Sequence, residues 1–484
     1  MKTKLQLILF FNIVILSLSA QNNLQRLDSV VVKSYNSNDN TYYLSDMHLF
    51  SYDTNQKNIL SQYAQWNTNS SVLVPNYKTE YTHGAHGLTS LTQYTYNSNT
   101  MQLQPYEKTL YTYNSNGRLL EKVEQVFDIN TASFVNQDKE IYVYAMAGDP
   151  YPTEVQIWSW DNVGNTWLYT QKATITFNAN WDFTEILLEV YDMTGNVWQP
   201  QMKWSRTYDN NNRVLQQLVQ QWSANQWDNT QKINFVYTAT ASIEQIEVTI
   251  QSWNSGVWTN SSQTIYKKDL NSGELSEAAY LYWNASLSAW SGNSKNTYQR
   301  NGNQVTVTNI GWDQASQIWM TDGINKEVYE YDLNFVKNDL NLPVEMQNNR
   351  ELVEQIFDFH TPYFNVFANK LLFVTNYSRN SINDTWAETY KSSYKYSSSV
   401  NDLNDLANDK ISFFPNPFQT VVNINVKTNS TGLEVFITDL QDRIVYKATH
   451  YNNTTIDLSM LPNGVYIYHV KTDRNNFAGK IIKK

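Results

Sequence analysis

The sequence predicts an all-β chain. A long antiparallel β-hairpin repeat forms a twisted or superhelical sheet, and a small Ig-like β-sandwich follows it. Three observations lead there. Aromatic residues make up 14% of the 484 residues, with 34 Tyr and 16 Trp, while charged residues are only 17%. Disordered chains show the opposite balance, and amphipathic runs of helix formers are nearly absent. Aromatic residues also recur at an interval of about 31 residues. Within each interval, apolar and polar residues alternate with the period of two that marks a half-buried strand.

The first element in chain order is a leader, residues 1–20. Lys2 and Lys4 precede an apolar run from Leu5 to Leu18, broken only by Asn12 and Ser17, and then Ser19-Ala20-Gln21. This is the order of a secretory signal peptide, with cleavage expected after Ala20. No later segment reaches the roughly 18 consecutive apolar residues of a membrane helix, so the mature form is expected to be exported without a transmembrane segment. The 35 basic and 45 acidic residues leave a net charge of −10, which gives no footprint for nucleic acid. Cysteine is absent, which removes disulfides, Cys-based zinc sites and a thiol nucleophile.

Residues 21–394 hold the repeat. A first anchor recurs at Tyr35, Trp66, Tyr96, Phe127, Trp160, Tyr191, Trp222, Trp253, Trp283 and Trp312, in steps of 29 to 33. A second anchor follows by seven residues in most copies, as at Trp167, Trp198, Trp290 and Trp319, and by five at Trp227 and Trp258. Seven and five share a parity, so each pair can face across a hairpin, and shortening by two keeps both side chains on one face. The Ser-Gly centre of "NSGV" (Asn254 to Val257) suits a two-residue turn. A third anchor lies ten beyond the second: Tyr52, His83, Tyr113, Tyr144, Phe177, Tyr208, Tyr237 and Lys268. The even spacing predicts that Trp198, Pro200, Met202, Trp204, Arg206 and Tyr208 share one face of a strand. Such a strand is roughly 36 Å long at about 3.3 Å per residue.

Some twenty strands are expected between 29 and 332, with a further copy at Tyr377, Trp386 and Tyr396. Residues 333–370, including "EQIFDFHTPYF", break the register as a degenerate unit or an insertion. Twist accumulates along so long a sheet, which is expected to coil into a ribbon or curl into a shell. "YTYNSNGRLLEK" (Tyr111 to Lys122) and "RTYDNNNRVLQQ" (Arg206 to Gln217) resemble YD/Rhs-like β-repeats, although the period is longer and the usual Gly is often replaced, as by Asn212.

A polar linker, 395–410, leads into residues 411–484, which lack Trp and contain six or seven short alternating runs, the pattern of a small sandwich. "FFPNPF" (Phe413 to Phe418), "LPNGVYIYHVKT" (Leu461 to Thr472) and "GKIIKK" (Gly479 to Lys484) closely resemble the type A C-terminal sorting domain of the type IX secretion system of Bacteroidetes. The motif positions are Phe414, Pro415, Asn416, Pro417, Gly464, Tyr466, Gly479, Lys480, Lys483 and Lys484; Asp442 stands where the family usually has Gly. The resemblance implies recognition of 411–484 by the outer-membrane export machinery. It also implies cleavage near 397–410, with release or attachment to surface lipopolysaccharide.

Candidate sites are few. "HGAHG" (His83 to Gly87) offers an HxxH spacing, but His83 stands at a third anchor and no HExxH glutamate accompanies it, so no metal is expected. His48, His360, His450 and His469 are scattered. No GxSxG, P-loop or GxGxxG appears, so neither a catalytic residue nor a cofactor is nominated. Asp128, Asp161 and Asp192 alternate between copies with Asn67, Asn254 and Asn284, which fits turn capping. Trp160, Trp167, Trp198, Trp222, Trp227, Trp253, Trp258, Trp283 and Trp290 are candidate ligand-stacking aromatics, although they also occupy register-setting positions. The expected role is a secreted or cell-surface, non-catalytic scaffold, adhesin or glycan-binding surface, with an extracellular glycan or a host or cell-surface ligand as partner. The alternative is an extracellular polysaccharide hydrolase with its acidic pair in 333–370.

Overall fold

The computed structural model describes residues 24–37, 39–68, 72–347, 352–380, 385–398, 411–415, 417–426, 433–439, 443–450, 454–471 and 476–484. The leader (1–20) and most of the 395–410 linker lie outside them. The chain divides into two units near Ser399, and the repeat fills the first.

Each repeat unit is a hairpin whose two anchors are direct cross-strand partners. Trp160 stands opposite Trp167, Tyr191 opposite Trp198, and Trp283 opposite Trp290. The shortened units keep this pairing, with Trp222 opposite Trp227 and Trp253 opposite Trp258. Two-residue turns make the shortening possible: Ser255 and Gly256 have φ of 49° and 94°, Ala224 and Asn225 49° and 62°, the signature of a type I′ turn. In the longer loops the residue after the first anchor caps the turn. Asp161 Oδ1 accepts from Val163 N, Asp192 Oδ1 from Thr194 N and Asn284 Oδ1 from Ser286 N, at 2.9 to 3.1 Å. At the opposite turns Asn114 Oδ1 accepts from Asn116 N and Arg118 N, and Asn212 fills Gly's place with φ 61°, a conformation Asn tolerates.

One expectation about the faces is corrected. In β12 (Val197–Tyr208), Met202 pairs with Leu188 of β11 (Phe183–Asp192) while Pro200 pairs with Glu189, so Gln201 is an extra, bulged residue. A bulge reverses the alternation. Trp198 therefore faces the opposite side of the sheet from Trp204, despite an even spacing. The same one-residue bulge falls three positions after the second anchor in unit after unit, at Ser45, Asn76, Tyr106, Gln137, Thr170, Thr230, Ser261, Asn293 and Thr389. Bulges strengthen local twist and bend a strand, and one per unit curves the whole sheet.

The curvature closes the sheet. β1 (Gln25–Asn36) pairs antiparallel with β23 (Thr385–Ser398), from Gln25 opposite Ser398 to Ser34 opposite Tyr390. The twenty strands from β1 to β20 (Ile318–Val336), with β22 (Asn369–Asn380) and β23, form a ring of 22. The sheet is thus neither an open ribbon nor an open shell but a barrel. The last unit is also corrected: Trp386 stands opposite Arg379, not Tyr377.

Strands spaced about 4.8 Å apart give this ring a perimeter of roughly 105 Å, too wide for wall side chains alone to fill. The irregular segment supplies filling at one end. β20 pairs directly with β22, so the residues between them are an insertion and not a degenerate unit. The insertion begins with β21 (Leu340–Asn341), parallel to β1, and contains the helix α1 (Leu352–Phe357). Leu342 is buried with Leu27, Val30 and Phe50. Phe357 packs edge-on to Phe183 and Trp204, and Phe359 lies 5.1 Å from Phe235. Phe364 lies 5.0 Å from Tyr329, and Phe367 meets Tyr394. A short segment that touches strands all round a closed wall crosses its lumen, as a plug. Away from the plug the inner wall stays wet: Tyr280, Tyr282 and Val126 are 37%, 38% and 40% exposed.

The outer face carries ion pairs and amides. Lys172 pairs with Glu189 at 2.9 Å and Lys267 with Glu277 at 2.8 Å. A ladder runs from Gln216 through Asn234 and Gln251 to Asn260. This is a face built for water; a lipid-facing barrel carries an apolar band there.

The second unit is a sandwich of a three-stranded sheet, Ile411–Phe414, Val421–Val426 and Thr454–Asp457, and a four-stranded sheet, Ile444–His450, Leu433–Thr438, Gly464–Lys471 and Asn476–Lys483. Its core holds Phe418, Val422, Val435, Ile437, Ile456 and Ile481, each at most 2% exposed.

Candidate binding site and sorting tail

Three places carry the candidate residues: the outer aromatic row, the plug-end pocket and the C-terminal motif. In the outer row the tryptophan pairs pack edge to face. Trp160 and Trp167 have ring centroids 5.0 Å apart at 70°, and Trp253 and Trp258 4.9 Å apart at 61°. Trp222–Trp227 and Trp283–Trp290 repeat the arrangement, and Tyr191–Trp198 is tilted at 54° with centroids 5.1 Å apart. Trp158 extends the row by stacking on Tyr169 at 4.5 Å and 9°.

A lysine then covers the rings. Lys139 lies 4.8 Å from the Trp167 ring, Lys172 4.9 Å from Trp198, Lys203 4.8 Å from Trp227, Lys232 4.6 Å from Trp258 and Lys295 5.1 Å from Trp319. Each of these lysines stands five residues after the second anchor of its own unit, a regularity legible in the sequence that composition alone conceals. Neighbouring ring edges and, at Trp167, Trp198, Trp227 and Trp258, ammonium groups cover part of these aromatic faces.

The third anchors form an internal hydrogen-bond row. The hydroxyls of Tyr52, Tyr113, Tyr144 and Tyr208 donate to the carbonyls of Leu27, Leu88, Leu119 and Phe183, in each case 25 residues back, at 2.6 to 3.0 Å. His83 Nε2 lies 2.6 Å from the Asn58 carbonyl in the same relation, which ties the "HGAHG" histidine to the repeat. Among the described residues no three His, Asp or Glu side chains converge as a metal site would require.

A pocket of about 480 Å³ opens where the plug meets the wall strands between Asn212 and Val305. Tyr237, Tyr298, Phe359 and Tyr363 give it aromatic sides. Glu244 and Glu274 both line it, so two acidic residues do converge at the irregular segment. Each is engaged by an arginine. Arg300 Nε donates to both oxygens of Glu274 at 2.9 Å, and Arg213 Nη1 lies 3.7 Å from Glu244. Glu274 is thus held through both oxygens, while the Glu244 ion pair is looser. Lys268, the one third anchor with a lysine, also lines the pocket.

Arg206, outside the pocket lining, anchors the plug segment that leads into it. Its side chain is buried, sandwiched over the Phe183 and Phe359 rings at 4.1 and 4.3 Å. Its Nη2 and Nη1 donate to the carbonyls of Phe357 and Asp358 at 2.7 and 3.0 Å, at the end of α1. His360, with φ 54°, then turns the chain toward Tyr363. Arg206 lay in the predicted alternation, but nothing in its residue type singled it out.

In the sandwich the motif residues divide by burial. Lys483 is 7% exposed, and its ammonium donates to the carbonyls of Leu458, Ser459 and Leu461 at 2.8, 2.6 and 2.6 Å. The Tyr466 hydroxyl donates to the Pro462 carbonyl at 2.6 Å. Gly464 pairs with Lys483, Gly479 with Tyr468 and Lys480 with Ile467. Phe414, Pro415, Pro417 and Lys484 are exposed, and Phe414–Pro415 is cis. Asn416 and Asp442 lie outside the described residues.

No curated protein matches the chain. Among solved structures, a DUF3836 family protein from Bacteroides vulgatus is 20% identical over 19% of this chain and 90% of that one, with a TM-score of 0.16. A Bacteroides fragilis protein of unknown function is 12% identical over 41% of this chain and 91% of that one, with a TM-score of 0.18. A structure titled TcdB2-TccC3-TEV is 9% identical over 91% of this chain and 22% of that one, with a TM-score of 0.30. At such scores none of these likenesses carries an argument. Residues 412–484 match the family model of the secretion system C-terminal sorting domain, the type IX tail that marks a chain for export to the cell surface or for secretion.

Proposed function

We propose that the barrel is a non-catalytic, extracellular glycan-binding module delivered by the type IX route. The observation that carries this reading is the plug-end pocket. Its volume of about 480 Å³ falls within the range of small-ligand sites, and it sets aromatic faces beside planar polar groups. Rings supply an apolar face for the C–H side of a sugar, while Asn212, Asn365 and the arginine–glutamate pairs supply hydrogen-bond partners. The closed barrel is the rigid mount, and the plug completes the site.

A glycan array probed with the mature chain tests the reading, with Tyr298→Ala and Tyr363→Ala as pocket variants. Binding to at least one saccharide, weakened tenfold or more by these substitutions, is the expected result. No binding to any saccharide would leave scaffolding or protein adhesion instead. Release of new reducing ends during incubation would favour the hydrolase reading, with Glu244 and Glu274 as its first candidates.

A further inference from the structure

We propose that the pocket selects carboxylate-bearing sugars, of the uronic acid class, and that Lys268 reads the carboxylate. This rests on the glycan-binding reading above and specifies its substrate class.

The argument begins with the repeat. At the third anchor, tyrosine reaches back to a main-chain carbonyl in unit after unit, and histidine does so once. Lys268 takes that position in a unit whose third anchor lines the pocket, as Tyr237 does in the unit before it. A lysine there contributes nothing to the carbonyl row, and among the described residues it has no hydrogen-bond or ion-pair partner. Glu244 stands directly across the strand pair from it, yet Glu244 is turned to Arg213.

The other pocket cations are committed. Arg300 is held by Glu274 through both carboxylate oxygens, and Arg213 Nε and Nη2 are held by Asp209 at 2.8 and 2.7 Å. Lys268 is the pocket's uncommitted cation among these, beside aromatic walls that position a sugar ring. A partly buried ammonium facing a ligand carboxylate forms a charge-assisted hydrogen bond, stronger than one between neutral groups. A neutral sugar would leave that ammonium without a partner.

The test is calorimetric titration of the mature chain with tri-galacturonate and with its neutral methyl ester, at low and at 0.5 M salt. The expected result is at least tenfold tighter binding of the acid at low salt, with the advantage shrinking at high salt. Lys268→Tyr, which restores the residue of the neighbouring units, and Lys268→Met should both erase the advantage of the acid over its ester. Equal binding of acid and ester by the unsubstituted chain would overturn this proposal and leave the glycan reading standing. An acid preference that survives both substitutions would overturn the assignment to Lys268. Binding of neither probe, together with an empty glycan array, would overturn both readings.

Discussion

Tyr208 shows how one hydroxyl joins two repeat units. Its donor reaches the Phe183 carbonyl at 2.6 Å, so Tyr208→Phe should cost about 0.5–1.5 kcal/mol in chemical denaturation, while His83→Tyr should cost almost nothing. Arg206 carries more. Two carbonyls at the end of α1 accept from its guanidinium, and hydrogen bonds to charged groups contribute about 1.5–3 kcal/mol each. Arg206→Met should therefore expose residues 345–368 to limited proteolysis while the wall strands stay protected. Arg206→Lys should rescue poorly, because an ammonium lacks the fork that spans two acceptors. Glu345, an exposed residue of the plug beside Ser61, has its carboxyl raised above the usual range by partial desolvation. A carboxyl raised in the folded state favours folding while protonated, and that contribution is lost as pH climbs from the usual carboxylate value through the raised one. Thermal unfolding should show Glu345→Gln raising the midpoint more at pH 8 than at pH 4, and an equal effect at both would contradict the assignment.

At the scale of the hairpin, the legible and the illegible separate cleanly. The period and the anchor pairs could be read because bulky aromatics recur at positions where cross-strand contact demands them. The bulges could not be read, because the extra residue has no required chemistry: Asn76, Tyr106, Gln137, Thr170 and Ser261 all serve. Arithmetic on spacing alone thus placed Trp198 and Trp204 on one face. Deleting Gln201 should drive Trp198 inward and abolish soluble expression. Shortening the Asn162–Asn165 loop by two residues should be tolerated, as the two shortened units already are. A double-mutant cycle on Trp160 and Trp167 should return a coupling of about 0.5–1.5 kcal/mol, the usual range for an edge-to-face pair. The pocket was only half legible. The irregular segment was visible as broken register, but the partners it meets belong to strands far back in the chain, such as Arg206 for Phe357 and Leu27 for Leu342.

For the molecule as a whole, the type IX tail and the barrel have separate cores and separate duties. Removing residues 411–484 should leave a folded barrel in the periplasm, as fractionation and protease protection would show; normal surface delivery of the truncated chain would contradict this. Within the tail, Lys483→Met should unfold the sandwich, since three main-chain carbonyls would lose their donor, whereas Lys484→Ala should leave its folding intact. Closure of the wall has a consequence in time. The seam joins Gln25 to Ser398, so the earliest strand waits for nearly the last before its edge is covered. Such distant pairing folds slowly, and a bare strand edge recruits other chains. A chain arrested short of that seam therefore offers a bare edge to its neighbours until the final hairpin arrives.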